Sequence, residues 1–427
     1  MPGWISFLPP AAALLAALAP QAATGAQTTA LEYAPAAVDN PLKGLVPYAG
    51  DRAGVFPHSM EFGYLPLSSV VKGDGAHDWS ALDALLSGIA ARGHQAIFRF
   101  FLEYPGKSHV IPEYLLKRGL KVHRHENTNT HPFPPKEVET PDYTDPNLRA
   151  CLRGFIAALG ARYDGDPRVG FITAGLLGTW GEWHTHPRND LWAPKDVQAE
   201  VLDAYAAAFK KTPILLRYPA AEGDPSYAPT VGRPFGYHDD SFAWATLDTG
   251  RKADAWFFMA KMNRGGPALA DTWKKFPIGG EIRPEAWGIV FDENPASRQV
   301  QDFAACVRAT RATWLMDSGM FKARAQEPRL SRAMDQVRKM GYEFHVRSVT
   351  VGIEDSALRV TAEVENRGVA PFYHDWTVEY ALIAAGGRIE RSWPGKGKLT
   401  GILPGDPPSQ WAETLDVRGM APGPRAL

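Results

Sequence analysis

The sequence predicts an α/β protein, a (β/α)8 barrel of the TIM-barrel kind followed by a small C-terminal antiparallel β-sandwich. From about Asn40 to Gly341, short apolar runs alternate with amphipathic helical stretches, as in repeated β/α units. Eight such runs can be placed, enough to close a barrel. After Met340 the texture changes: Phe344 to Gly352, Ala357 to Glu365 and Trp376 to Ile383 alternate apolar with polar residues, as strands with one buried face do.

In chain order, the first strand is expected at Gly44 to Pro47 and the second at Gly63 to Val71. A helix over Trp79 to Ala91 places Leu82, Leu85, Leu86 and Ile89 on one face, with Gly93 to close it. Gln95 to Phe101 is the third strand. Tyr104 to Asp145 follows, long, rich in Pro and His and mostly unperiodic, which after a strand's C-terminal end suggests a functional loop. Pro146 to Arg162 reads as a helix, with Pro in its first turn and Asp145 as cap. Val169 to Ala174 is the fourth strand, and helix Pro194 to Lys210 comes next. Strands five to eight are expected at Pro213 to Tyr218, Phe235 to His238, Phe276 to Glu281 and Ala312 to Asp317.

The domains follow: residues 1–26 a signal peptide, 27–341 the barrel and 342–427 the sandwich. Three strands are few for a sandwich, so that module is expected to be incomplete or to use its edges against the barrel. Ile5 to Ala19 is almost wholly apolar, and small residues place a cleavage site after Ala26. The run is short for a bilayer span and is interrupted by Pro9 and Pro10. A secreted or periplasmic protein with no membrane attachment after cleavage is therefore expected. Apolar residues at 45% can build a core, while a net charge of -1 with no Lys/Arg block argues against nucleic acid as a partner. The two cysteines, Cys151 and Cys306, sit in apolar helical patterns without metal-like spacing and read as buried thiols. No cofactor is implied and no metal site is assigned.

Barrels assemble sites from the C-terminal ends of different strands. Glu182, in G-T-W-G-E-W-H, follows the fourth strand, and Glu281, in P-I-G-G-E-I-R-P, ends the seventh, across the barrel mouth. Two carboxyl groups so placed suit cleavage of a glycosidic bond. Arg99 lies inside an apolar strand and needs a carboxylate partner, either a catalytic one or Glu103. Arg217 invites the same two readings. Tyr104 opens the long loop, and Trp180, Trp183 and His184 surround Glu182. Tyr237, His238, Asp239 and Asp240 follow strand six and could hold sugar hydroxyls or orient Glu281, though a helix cap or turn would also explain the two aspartates. Carbohydrate is the expected partner, because sugars stack on aromatic rings.

F-R-F-F-L-E-Y-P, I-P-E-Y-L-L, A-R-Y-D-G-D-P-R-V-G-F and G-T-W-G-E-W-H resemble, in order and layout, the clan A glycoside hydrolases, notably bacterial β-galactosidases. N-P-L-K-G-L-V-P-Y and A-P-F-Y-H-D-W are similar to segments of a poorly characterised family of secreted bacterial proteins with a barrel and a small β domain. The first resemblance implies retaining hydrolysis with Glu182 as acid/base and Glu281 as nucleophile. It also implies Asn just before the acid/base Glu, where this chain has Gly181. That departure leaves a second reading, a non-catalytic carbohydrate-binding protein on the same barrel. The histidines His123, His125, His131, His184, His186 and His238 leave a third, a metal-dependent hydrolase.

Overall fold

The structure is a computed structural model that describes residues 15–17, 25–50, 55–130, 134–355, 357–420 and 424–427. The chain divides into two units. The first, Val38–Met340, is a barrel of eight parallel strands: β1 (Gly44–Val46), β2 (Met60–Pro66), β3 (Gln95–Phe101), β4 (Val169–Thr173), β5 (Ile214–Leu216), β6 (Gly236–Phe242), β7 (Ile278–Ile282) and β8 (Trp314–Met316). Neighbours pair in sequence from β2 round to β8, which pairs with β1. The ring closes where Phe62 N donates to Pro47 O and Ala49 N to Phe62 O, both at 2.8 Å.

All eight expected strands are present, and two differ in extent: the sixth runs on to Phe242, so that Asp239 and Asp240 lie within it, and the second is shifted. Pro66 has no N–H to continue the ladder, so β2 ends there, and a short 3-10 turn, Leu67–Ser69, takes the chain into a small hairpin. Three helices stand where their periodicity places them: α1 (Ser80–Ala90), α2 (Pro146–Tyr163) and α3 (Lys195–Ala208). The Asp145 carboxylate caps α2, accepting from Asn147 N and Leu148 N. Two further helices, Phe303–Thr310 and Arg329–Arg338, follow β7 and β8. Residues 217–235, between β5 and β6, contain no helix. The long segment after β3 is more ordered than its composition suggests, with a short helix, Glu113–Lys117, and a hairpin of Val122–Asn127 with Lys136–Pro141.

The barrel interior is packed by inward-facing residues of alternate strands. Phe171 of β4 stacks on Trp314 of β8 (ring centroids 6.0 Å apart), and His238 of β6 lies 5.6 Å from the same indole. Gly279 of β7 faces Trp314 so closely that a Cβ there would lie 2.2 Å from the ring. Cys151 and Cys306 are buried free thiols.

The second unit differs from the expected module in two ways. It contains two four-stranded antiparallel sheets, a fuller sandwich than three strands imply. One joins Gln27–Ala30, Phe344–Glu354, Ala357–Asn366 and Ser409–Asp416; the other joins Leu15–Ala17, Thr377–Ile383, Ile389–Lys398 and Pro424–Ala426. Between them lie Leu358, Val360, Tyr380, Leu382 and Leu415. Ile389–Lys398 escapes a hydrophobicity reading because its residues are polar, glycine or half-exposed. Residues 25–37 also belong here, not to the barrel as the 27–341 boundary has it. Thr28 and Thr29 pair with Thr350 and Val349, a contact between chain ends that local pattern cannot reveal. Most of the proposed signal peptide, residues 1–26, lies outside the described residues. Among the described residues, no helix is long and apolar enough to cross a membrane.

Gly279→Val should destabilise the barrel by about 1–3 kcal/mol through overpacking against Trp314. Denaturant unfolding checks this; an unchanged midpoint would mean that the indole is free to move.

Candidate active site

A cavity of about 910 Å³ opens at the C-terminal ends of the strands, lined by side chains from seven of the eight barrel strands or the loops that follow them. Glu182 and Glu281 both line it, from the β4 and β7 sides.

Glu182 is carried by a tight turn over residues 174–184. Thr179 N donates to His184 O (2.8 Å), Glu182 N to Thr179 O (2.9 Å) and Trp183 N to Leu177 O (3.0 Å). Gly178 and Gly181 have φ of +79° and +69°, and Trp180 and Trp183 also have positive φ, 55° and 57°. Such a backbone costs on the order of 1 kcal/mol or more at each non-glycine and persists only when its surroundings hold it. A Cβ on Gly181 would lie 2.9 Å from Phe100 O and 3.2 Å from the Arg99 side chain. The glycine that stands where clan A has Asn is thus required by the backbone of this turn.

Beneath Glu182 sits Arg99, 1% exposed. Its guanidinium donates to Glu182 Oε1 (2.8 Å), Tyr64 Oη (2.9 Å) and Thr173 Oγ1 (3.0 Å), and its second terminal nitrogen lies 3.2 Å from His238 Nε2. Burial and this guanidinium hold the His238 imidazole well below its ordinary pKa, so it is neutral. Of the two partners open to Arg99, Glu182 is the one it meets.

Glu281 contrasts with Glu182. Its residue is 9% exposed, and among the described residues no hydrogen bond reaches its carboxyl. Burial and the charge of Glu182 raise its pKa well above the ordinary range, and the nearby Arg99 only partly offsets them. Glu281 thus retains its proton, while Glu182 pairs with the Arg99 guanidinium. Asp240 of β6 is a further carboxyl in the wall. Burial would raise it, but an ion pair and hydrogen bond with Arg217 prevail and hold it at about 2. Arg217 in turn lies over the Tyr218 ring, 3.9 Å from its centroid.

The structure brings Tyr104, Trp180, His184 and Arg217 to the cavity, and corrects six other placements, Arg99 among them, which is buried beneath the site and does not line the cavity. Tyr237 and Asp239 lie on the outer face of β6, since successive side chains alternate: Tyr237 Oη meets Thr230 Oγ1 (2.8 Å), and Asp239 accepts from Thr246 Oγ1 (2.6 Å) and Ser241 N (3.0 Å). His238 faces inward but is buried against Arg99 and Trp314 and does not line the cavity. Trp183 is buried and ties the turn down, donating from Nε1 to Ala174 O (2.7 Å). Glu103 is fully buried, accepting from Tyr143 Oη (2.5 Å) and Thr140 Oγ1 (2.7 Å). Tyr143 Oη also accepts from Gly178 N, so Glu103 braces the turn that carries Glu182.

Sequence reasoning missed Tyr48, Tyr64, Tyr218 and Arg283, all in the wall. Of the four residues expected to meet sugar after strand six, Asp240 is the one in the wall, two residues past the inward-facing His238.

No protein-family model matches the chain, and no curated protein does. Similar solved structures exist. Endo-glycoceramidase II from Rhodococcus sp. is 12% identical with a TM-score of 0.42, over 92% of this chain and 98% of that one. A family 39 glycoside hydrolase from Bacteroides cellulosilyticus WH2 is 9% identical (TM-score 0.39; 91% and 81%). An alpha-amylase from Malbranchea cinnamomea is 10% identical (TM-score 0.35; 90% and 95%). A likeness at this level carries nothing about individual residues, so the site's chemistry rests on its own geometry.

Glu182, His184 and Asp240 present ligand atoms within 4.8 Å of one another, as do His58, Glu61 and His94 at the N-terminal ends of β2 and β3. In both groups the carboxylates are matched by arginine: Glu182 by Arg99, Asp240 by Arg217, and Glu61 by Arg92. His125 is on the hairpin, bonded to Thr140, and His131 lies outside the described residues.

Burial raises the Glu103 carboxyl to about 7 despite its hydroxyl donors. The folded state therefore binds this proton more tightly than the unfolded one, and the stability it confers is lost as pH rises toward 7. Thermal melts from pH 5 to 8 should fall less steeply in Glu103→Gln than in the parent; equal slopes would show that Glu103 does not titrate there. Gly181→Asn should lower stability by about 1–3 kcal/mol and reduce ligand affinity, measured by denaturant unfolding and calorimetry.

Proposed function

We propose that this protein is a secreted or periplasmic glycoside hydrolase that cleaves a poly- or oligosaccharide with retention, using Glu182 and Glu281. The observation that carries the reading is the unequal pair: one carboxylate ion-paired with a buried guanidinium, one carboxyl protonated and without a hydrogen-bond partner among the described residues, in one cavity.

These protonation states favour Glu281 as the acid and Glu182 as the nucleophile, the exchange of the roles that the clan A resemblance implies. Glu281 gives its proton to the leaving oxygen as the bond to the anomeric carbon breaks, and Glu182 attacks that carbon to form a glycosyl-enzyme. The ester removes the charge of Glu182, and with it a main cause of the raised Glu281 pKa. Glu281 is then a carboxylate able to accept a proton from the incoming water, whose oxygen displaces Glu182 and regenerates both groups.

Glu182→Gln and Glu281→Gln should each lower turnover of a natural glycan by about 100-fold or more without unfolding the protein. Azide rescue with an activated aryl glycoside distinguishes the roles. Glu281→Gln should yield a glycosyl azide of retained configuration, and Glu182→Gln or Ala one of inverted configuration. The opposite pattern would restore the clan A order, and an inverted sugar product from the parent enzyme would remove the covalent step. Affinity for glycans with no product from any would make this a carbohydrate-binding protein instead.

A further inference from the structure

The charges of the cavity wall carry information about what enters it. Arg99 pairs with Glu182 at 2.8 Å, Arg217 with Asp240, and Arg283 with Glu285 at 2.9 Å. Glu281, the remaining carboxyl, keeps its proton. Lys136 also reaches the wall, but at the exposed rim, where water screens it. A ligand carboxylate or sulfate would have to compete with an internal carboxylate for each of these guanidiniums, leaving that carboxylate buried and unpaired. A ligand ammonium would meet the converse obstacle.

What the wall offers instead is an acceptor. Asp240 is ionised and largely buried, its side chain is fixed by Arg217, and Arg217 is fixed over Tyr218. Its carboxylate oxygen, the His184 imidazole and the Glu182 carboxylate lie within 4.8 Å of one another. The unpartnered Glu281 carboxyl lines the same cavity. A carboxylate beside an imidazole, with no mobile cation to satisfy it, suits two neighbouring hydroxyl groups, which donate to the carboxylate and exchange a hydrogen bond with the ring.

Resting on the hydrolase reading for the position of the scissile bond, we propose that Asp240 and His184 form a subsite that recognises adjacent hydroxyls of an uncharged sugar ring beside Glu182, and that the cavity rejects uronates, sulfated sugars and amino sugars. Asp240 is the selecting residue, since it is the acceptor outside the catalytic pair that stands beside both His184 and Glu182.

The test compares the full-length protein with Asp240→Asn and His184→Gln on neutral oligosaccharides, their uronate counterparts, and monodeoxy analogues of the best neutral ligand, by kinetics and by calorimetry. Asp240→Asn should weaken kcat/KM or affinity for the neutral ligand by about ten-fold or more. Removing the recognised hydroxyl should cost the parent a similar factor and cost Asp240→Asn little further. Equal or better use of uronates, or a deoxy penalty undiminished in Asp240→Asn, would overturn the proposal. So would Zn²⁺ or Ca²⁺ binding to the parent that is lost in both variants, which would make the trio a metal site. Binding of neutral glycans with the predicted deoxy penalty, but no hydrolysis, would sink the hydrolase reading and leave this subsite standing.

Discussion

The buried guanidinium of Arg99 is the constraint on which the rest of the site depends. A charge that deep is tolerable only with its donors occupied, and Thr173, Tyr64, Glu182 and the His238 ring surround it. Satisfying it fixes the position of Glu182, and burial together with the charge on Glu182 keeps the proton on Glu281. Strands β2, β3, β4 and β6 are thereby linked through one side chain. Loss of either partner of a buried pair typically costs about 3–5 kcal/mol, so the floor of the cavity is both a structural and an electrostatic element.

Around this centre the chain accepts unfavourable backbone. Two tryptophans with positive φ and two glycines that admit no side chain build the turn over Arg99, and Glu103 with Tyr143 braces it from below. The turn's glycine-tryptophan composition therefore serves geometry first. Trp180 faces the cavity, whereas Trp183, three residues on, is an anchor.

Much of the fold was legible because barrel strands are buried on both faces and read as apolar runs bounded by turn residues, as in Gln95–Phe101. The second unit was less so. Its strand at Gln27–Ala30 is recruited from the opposite end of the sequence, and Ile389–Lys398 has too little apolar character to mark it as a strand. In the site, Glu182, Glu281, Arg99 and Arg217 were legible from their places at strand ends. Tyr48 and Tyr64 were not, because a tyrosine near a strand end looks like any core aromatic. Trp183 and Glu103 were misplaced because proximity in sequence to Glu182 and Arg99 does not report which way a side chain points.

Strand β6 divides its residues sharply. Asp240 faces the cavity ionised against Arg217, while its neighbour Asp239 is raised to about 7 by burial on the other face. Moving the strand by one residue would put each aspartate in the environment suited to the other, an ionised group into the packed layer and a proton-retaining one opposite a guanidinium. An insertion or deletion of one residue within β6 would therefore cost both aspartates their partners. What the cavity accepts can then be altered through the flanking loops rather than the strand, and the helix-free segment 217–235 just before β6 already supplies Arg217, Tyr218 and Tyr227 to its wall.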